Sequence, residues 1–222
     1  MTDDFTTKDF LNADGVENWR VISDGACAFY RTGSYAESAG LVNALAGIDG
    51  IESHPPNIDI RHDGVTVRFL TRNAEGYGLK RHDLDLAREV ERVATERGLS
   101  ADPTAIQSLL IIPGWTNRAE IMPFWQAILG YEPRIDSPEE DLVDPHDRDA
   151  ALWFEDMEEP RADGKGAIHL AVWVPREKAQ ERIDAAVAAG GRIVYDENAP
   201  SWVTLEDPAG NQVDVATVTG RG

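Results

Sequence analysis

Two stretches of this chain repeat one another, and that repeat limits the folds open to it more than any single motif does. Ala105-Ile106-Gln107 runs on to Pro113 as Ala167-Ile168-His169 runs on to Pro175. After each proline the apolar residues fall at helical spacing: Ile121, Phe124, Trp125 and Ile128 in the first copy, Ala179, Ile183, Ala186 and Val187 in the second. Each helix is expected to close on glycine, at Gly130 and at Gly190-Gly191, because glycine accepts the left-handed conformation that ends helices. Strand-like stretches follow, residues 150–154 in the first copy and 193–195, 202–205 and 213–218 in the second. The pattern is two βαβββ units in tandem.

The first half carries a different signal, the hairpin. Ile58, Ile60 and His62 share one face of an extended run, and Val65, Val67 and Phe69 share one face of the next. Asp63-Gly64 between them reads as a tight two-residue turn, and Asp24-Gly25 does the same between strands at 19–22 and 26–31. Helices are expected at 6–12, after the Ser34/Glu37 capping box, and from Asp83, which can cap its helix. Their apolar stripes are Tyr35, Ala39, Val42, Leu45 and Ala46 for the second, and Leu86, Ala87, Val90, Val93 and Ala94 for the third, which ends near Gly98. Two hairpins burying one face against helices give an α+β layer of roughly 100 residues, a normal domain size. Residues 98–103 read as a linker, so the expected domains are 1–98 and 104–219.

Composition narrows the partners. A formal charge of -19 repels phosphate backbones and anionic membranes, so nucleic acid and membrane are not expected partners. No apolar run is long enough to cross a bilayer and no leader stands at Met1, so a cytoplasmic protein is expected. Cys27, the single cysteine, rules out an intramolecular disulfide framework and fits a small buried hydrophobe. The acidic stretch 136–149 reads as solvated surface, His146 included. Trp115, Trp125, Trp153, Trp173 and Trp202 could line a pocket, although tryptophans at such spacing more often belong to a core.

His54-Pro55-Pro56 leads straight into the second hairpin, and two prolines present the His54 imidazole from a stiff, irregular segment. This segment, with Trp19, AFYRTGSYAESAGLVNALA, NIDIR, the Val-rich return strand and GLKRHDLDLA, resembles the pterin-4a-carbinolamine dehydratase family over about the first half of the chain. The resemblance implies loss of water from a 4a-hydroxytetrahydropterin, with a proton leaving the ring nitrogen beside the carbon that sheds hydroxide. It implies no cofactor. Such a step asks for a general acid at the hydroxyl and a base at the nitrogen, and histidines suit both. The family carries a His-His-Pro pair and a third histidine on the return strand. In one register His54 matches the first histidine, Pro55 replaces the second, Arg72 stands at the third and His62 at an aromatic position, while Asp83 is retained. In another, His54 is the second histidine, Pro55 the motif proline and Asp49 its acidic position. Both registers lack one histidine of the pair, and Arg72, always charged, is a poor proton carrier. The resemblance thus points to His54 and Asp83 as catalytic and to Pro55, His62 and Arg72 as substrate-binding.

FWQAILGYEP, LWFEDMEEP, AIHLAVWV and LEDPAGNQVDVA resemble the vicinal oxygen chelate superfamily, the glyoxalase and bleomycin-resistance type, from Thr104 to about Thr219. That resemblance implies a curved half-barrel around a pocket, with metal ligands, where present, from the first and last strands of each unit. The matching positions are Gln107, Glu155, His169 and Asp214. They are a donor set that suits a divalent cation, yet Asp214 is one methylene shorter than glutamate, and no bound metal is expected.

The expected fold is α+β: a two-layer pterin-dehydratase-like domain followed by a paired βαβββ domain. The leading expectation for function is a hydro-lyase acting on a pterin-like small molecule, in a homo-oligomer. A protein that binds such a molecule without turnover, and a metal-dependent lyase or oxygenase acting through the second domain, are the alternatives.

Overall fold

Residues 5–73, 76–162, 167–206, 208 and 211–219 are described by the computed structural model. The chain divides into two units, one running to Ile106 and one beginning at Gln107, and both mix helices with sheet. Among the described residues no helix is long and apolar enough to cross a membrane.

The first unit contains α1 (Thr7–Leu11), β1 (Arg20–Ile22), β2 (Gly25–Arg31), α2 (Tyr35–Leu45), β3 (Asn57–Ile60), β4 (Gly64–Phe69), β5 (Thr71–Asn73), β6 (Gly76–Gly78), α3 (Arg81–Glu96) and β7 (Ser100–Ala101). Its main sheet runs β1-β2-β4-β3, antiparallel throughout. β7 pairs with Tyr30 and Arg31 at the far end of β2, so part of the expected linker is a strand of this sheet. Strand alternation builds the core. Ala26 lies opposite Phe69, Ala28 opposite Val67 and Tyr30 opposite Val65, and all six are essentially inaccessible. α3 lays Leu84, Leu86, Ala87, Val90, Val93 and Ala94 on this layer, as its apolar stripe predicts. The Tyr30 hydroxyl and the Asn18 amide both donate to the Glu91 carboxylate, tying β2 and the approach to β1 to α3.

α2 is rotated from the expected stripe. It buries Ser38, Leu41 and Leu45, whereas Tyr35, Ala39 and Ala46 are exposed. Ser38 can enter the core because its hydroxyl donates to the Arg61 carbonyl at 2.8 Å and contacts the Thr32 hydroxyl at 2.6 Å.

Both hairpins form, each with its turn one residue earlier than the Asp-Gly pair suggests. Ile22 pairs with Gly25, which leaves Ser23-Asp24 as the turn with Ser23 at φ 54°. In the second hairpin the Arg61 amide donates to the Gly64 carbonyl, so His62-Asp63 turns the chain. Gly64 is needed for space rather than for positive φ: a Cβ there would lie 2.2 Å from Phe29 Cζ and 2.7 Å from the Tyr30 carbonyl oxygen. His62 therefore sits exposed at the tip, its ring edge-on to Tyr35 at 5.7 Å. Ile58 and Ile60 do face the core side, but β3 is an edge strand and Ile60 stays 40% exposed.

The second unit contains β8 (Ser108–Trp115), α4 (Arg118–Leu129), β9 (Glu132–Pro133), β10 (Asp141–Val143), β11 (Ala151–Trp153), β12 (Glu155–Asp156), β13 (Ala167–Trp173), α5 (Arg176–Ala188), β14 (Arg192–Tyr195), β15 (Trp202–Glu206) and β16 (Gln212–Ala216). The sheet order is β14-β15-β16-β13-β8-β11-β10-β9, with β12 also on β8. β8 and β13 are antiparallel at the centre, and each carries the last strands of its own copy in parallel on its other edge. The repeat read from the sequence thus appears as the same strand order counted outward from the middle.

Helices occupy one face of this sheet. Ile183 of α5, with Ala179 and Ala186, packs on Val172, Val174, Val213 and Val215. Met122, Ile121 and Trp125 of α4 pack with Ile111, Leu142 and Leu152, while Phe124 and Ile128 are exposed. Gly130, at φ 67°, ends α4 in the left-handed conformation, as expected. The acidic stretch is not plain solvated surface. Asp141 and Asp144 are buried, Asp141 by the Ser137 hydroxyl and Arg134, Asp144 by the amides of His146, Arg148 and Asp149. The His146 amide first, then those of Arg148 and Asp149, hold the Asp144 carboxyl down at about 2, against the cost of burial. His146 itself is exposed, as expected.

Candidate functional site

Three segments of the first unit bring their polar groups together. A single 3₁₀ turn, Ile51–Ser53, delivers His54 ahead of the two prolines. The chain leaving β4 turns Thr71 inward at the start of β5, where it is fully buried. The first turn of α3 supplies His82 and Asp83. Asp83 is the third residue of that helix rather than its cap; its carboxylate accepts the Lys80 amide at 2.6 Å and lies at the positive end of the helix dipole.

The hydrogen bonds fix most of the protons. Asp83 is fully buried, and Oδ2 accepts both the Lys80 amide and, at 3.2 Å, the Thr71 hydroxyl. Oδ1 lies 2.5 Å from His54 Nε2. An ionised carboxylate only accepts, so His54 must carry its proton on Nε2, which leaves Nδ1 as its basic nitrogen. Thr71 has one hydroxyl proton and gives it to Asp83. Its oxygen therefore accepts from His82 Nε2, 3.2 Å away, and among the described residues none takes the Nδ1 of His82. The two imidazole rings are 4.0 Å apart at 75°, and His54 lies nearly parallel to Phe69, on which Trp19 also stacks.

Among the described residues, His54, His82 and Asp83 are the one group of His, Cys, Asp or Glu whose potential ligand atoms all lie within 4.8 Å. A metal is a poor occupant. Thr71 Oγ1 stands 3.5, 3.2 and 3.2 Å from His54 Nε2, His82 Nε2 and Asp83 Oδ2, so a hydroxyl already takes the central position.

The remaining expected residues fall elsewhere. Pro55 is exposed next to His54. Arg72 is half-buried beside Thr71 and pairs across β5 and β6 with Tyr77; alternation turns it to the opposite face of that ribbon. His62 is at the hairpin tip, at the other end of β3 from His54. The sequence reading passed over Thr71 and His82. His82 had one legible cue, its place directly before Asp83 in the first turn of a helix, whereas nothing in the sequence marks Thr71.

In the second unit the face away from the helices carries His169 on β13 and Asp214 on β16, because the valines alternating with them pack on α5. Their Nε2 and Oδ2 atoms are 3.7 Å apart, and Asp214 Oδ1 accepts the Thr204 hydroxyl at 2.6 Å. The polar contact with Asp214 raises the His169 pKa above its ordinary value; burial opposes the shift, and the charges of Asp214 and Glu155 add to it. Glu155, exposed on β12, pairs with Gly114, which lies opposite Ala167 on β13. Gln107 is not part of this group. It lies one residue before β8, and its amide oxygen accepts from Arg182 of α5 at 3.3 Å, on the helix side of the sheet. One ligand of the expected set thus faces the wrong way and Asp214 is committed to Thr204. The residues present do not fit a closed four-ligand metal site.

Residues 2–93 match the family model for pterin 4 alpha carbinolamine dehydratase. A protein of Chromobacterium violaceum named "putative pterin-4-alpha-carbinolamine dehydratase" is 32% identical over 76 residues, which are 34% of this chain and 68% of that relative. The chain belongs to the pterin-4a-carbinolamine dehydratase family. A second dehydratase-family relative with the same name, from Paracidovorax citrulli, is 31% identical over 65 residues, 28% of this chain and 56% of that protein. The dehydratase match ends within α3, after the residues that form the cluster. Beyond it, residues 114–216 match the family model for a glyoxalase-like domain. Among solved structures, a glyoxalase/bleomycin resistance protein/dioxygenase superfamily member from Vibrio splendidus 12B01 aligns with 50% of this chain and 99% of its own, at 15% identity and a TM-score of 0.31.

Proposed function

We propose that the first unit dehydrates a pterin 4a-carbinolamine, with His54 as the general base. The observation that supports this most directly is the short contact between His54 and the buried Asp83. It fixes the imidazole in one tautomer with Nδ1 free, and places a negative charge where it stabilises the imidazolium formed when Nδ1 takes a proton. In the reaction the ring nitrogen beside C4a gives its proton to His54. The electron pair left behind forms the carbon–nitrogen double bond, and the bond from C4a to its oxygen breaks as the hydroxyl leaves with a proton to become water. The reaction is redox-neutral and calls on no cofactor.

Stopped-flow decay of a freshly generated carbinolamine tests the reading. The chain should speed that decay above the buffer rate, and His54→Ala should remove the gain, a general-base contribution of about 10²- to 10⁴-fold. A wild-type rate equal to buffer, with pterin still bound, would support binding without turnover instead. For the second unit we propose a small-molecule site on the sheet face that holds His169 and Asp214, with no metal-dependent step.

A further inference from the structure

We infer that His82 is the second proton-transfer residue of this site, the general acid that gives the departing hydroxyl its proton. The inference rests on the dehydratase reading above and adds to it a residue that neither the family resemblance nor the sequence motifs single out. The chemistry sets the requirement: one group must accept a proton at nitrogen while another donates one at oxygen. His54 has a single free nitrogen, because its Nε2 is committed to Asp83. It cannot be both groups in one step.

His82 supplies what is missing. Its ring centre is 4.0 Å from that of His54, a separation within the span of one bicyclic ring system. Its Nε2 is held by Thr71 and its Nδ1 is taken by none of the described residues, the same arrangement as in His54. The Asp83 carboxylate faces Nε2 of His54 and the Thr71 hydroxyl faces Nε2 of His82, so each imidazole is oriented by its own partner. Atoms balance: the His82 imidazolium loses the proton on Nδ1, water departs from C4a, the ring nitrogen loses its proton to His54 Nδ1, and the two histidines together keep one positive charge throughout. Proton exchange with solvent restores the starting state. His82 sits in the first turn of α3, next to the residue that orients His54, so one rigid element sets the spacing of acid and base.

The test uses the full chain and the carbinolamine decay assay with His82→Gln. Glutamine can keep a donor near Thr71, where the Nε2 proton of His82 was, but cannot transfer a proton. The expected result is a fall in kcat of about 10²-fold with little change in KM and loss of the alkaline limb of the pH profile, the limb that reports a protonated acid. His82→Ala should be rescued in part by added imidazole. His82→Gln and His82→Ala as fast as wild type, alongside an inactive His54→Ala, would overturn the role of His82 while leaving the dehydratase reading intact. A wild-type chain no faster than buffer would overturn both.

Discussion

Asp83→Asn separates an orienting residue from a structural one, because the substitution keeps shape and removes only charge and one acceptor. In the wild type three donors converge on the carboxylate: the Lys80 amide, the Thr71 hydroxyl and His54 Nε2. The asparagine oxygen can still serve Lys80 and Thr71 at the Oδ2 position. The amide nitrogen then faces His54 Nε2, donor against donor, and the imidazole relieves the conflict by moving its proton to Nδ1. The basic nitrogen is thereby turned toward the new amide and away from substrate. A charge-assisted hydrogen bond is worth about 1.5–3 kcal/mol, and a negative charge in the first turn of a helix adds about 0.3–1 kcal/mol. The expected loss of stability is therefore about 2–4 kcal/mol, read from the urea midpoint at constant m-value. Activity should fall further than stability explains, by about 10³-fold or more, as when an orienting carboxylate is lost from a histidine base. Nitrogen NMR of His54 would show its proton on Nε2 in the wild type and on Nδ1 in the variant. An Asp83→Asn protein that kept its rate and its His54 tautomer would refute the orienting role and leave Asp83 as a helix-start residue only.

Two further expectations concern packing and pH. Gly64→Ala drives a methyl group into Phe29 and the Tyr30 carbonyl, and should cost about 1–3 kcal/mol in urea unfolding, the range for overpacking; an unchanged midpoint would mean that the β2–β4 pair yields freely. The raised pKa of His169 stabilises the fold fully below about 6.5, the ordinary histidine value, and that contribution is lost as pH rises through the higher folded value. Asp214→Asn should weaken this decline above about pH 6.5, leaving the smaller pull of Glu155, and a variant whose decline matched the wild type would contradict the assigned contact.

Much of the architecture was legible wherever burial is decided by local alternation. Val65, Val67 and Phe69, and the whole stripe from Leu86 to Ala94, are buried as their spacing requires, since each pattern repeats over several turns or pleats. The errors lie where one residue of register decides the answer. Both Asp-Gly pairs mark real hairpins, but the turns fall one place earlier because Gly25 and Gly64 are wanted for close approach, which local turn statistics do not encode. The same parity sends Gln107 to the helix side: the internal repeat aligns it with His169, while it precedes Ser108, the first residue of β8 paired with β13, and contacts Arg182 of α5. Asp141 and Asp144 looked like solvated charge and are buried, because their partners include a serine and backbone amides that carry no signature in composition. The candidate cluster was half visible. His54 and Asp83 stood in recognisable motifs, but Thr71 and His82 matter only through contacts between segments that the chain brings together after folding.

The central pairing of β8 with β13 has a bearing on how the second unit could be divided. Seven consecutive residue pairs, from Ser108 with Trp173 to Gly114 with Ala167, join the two copies. Each copy ends its own ladder on a strand whose outer edge the other copy fills. A single copy expressed alone would present that edge bare, eight residues long in β8 and rich in isoleucine and leucine, the kind of strand that recruits another chain. Because the two copies share one order of strands, the best available partner for such a fragment is a second molecule of itself, meeting it edge to edge in the antiparallel sense the intact chain uses. The covalent link between the copies therefore acts as a choice of partner, replacing an encounter between molecules with one fixed at high local concentration within the chain.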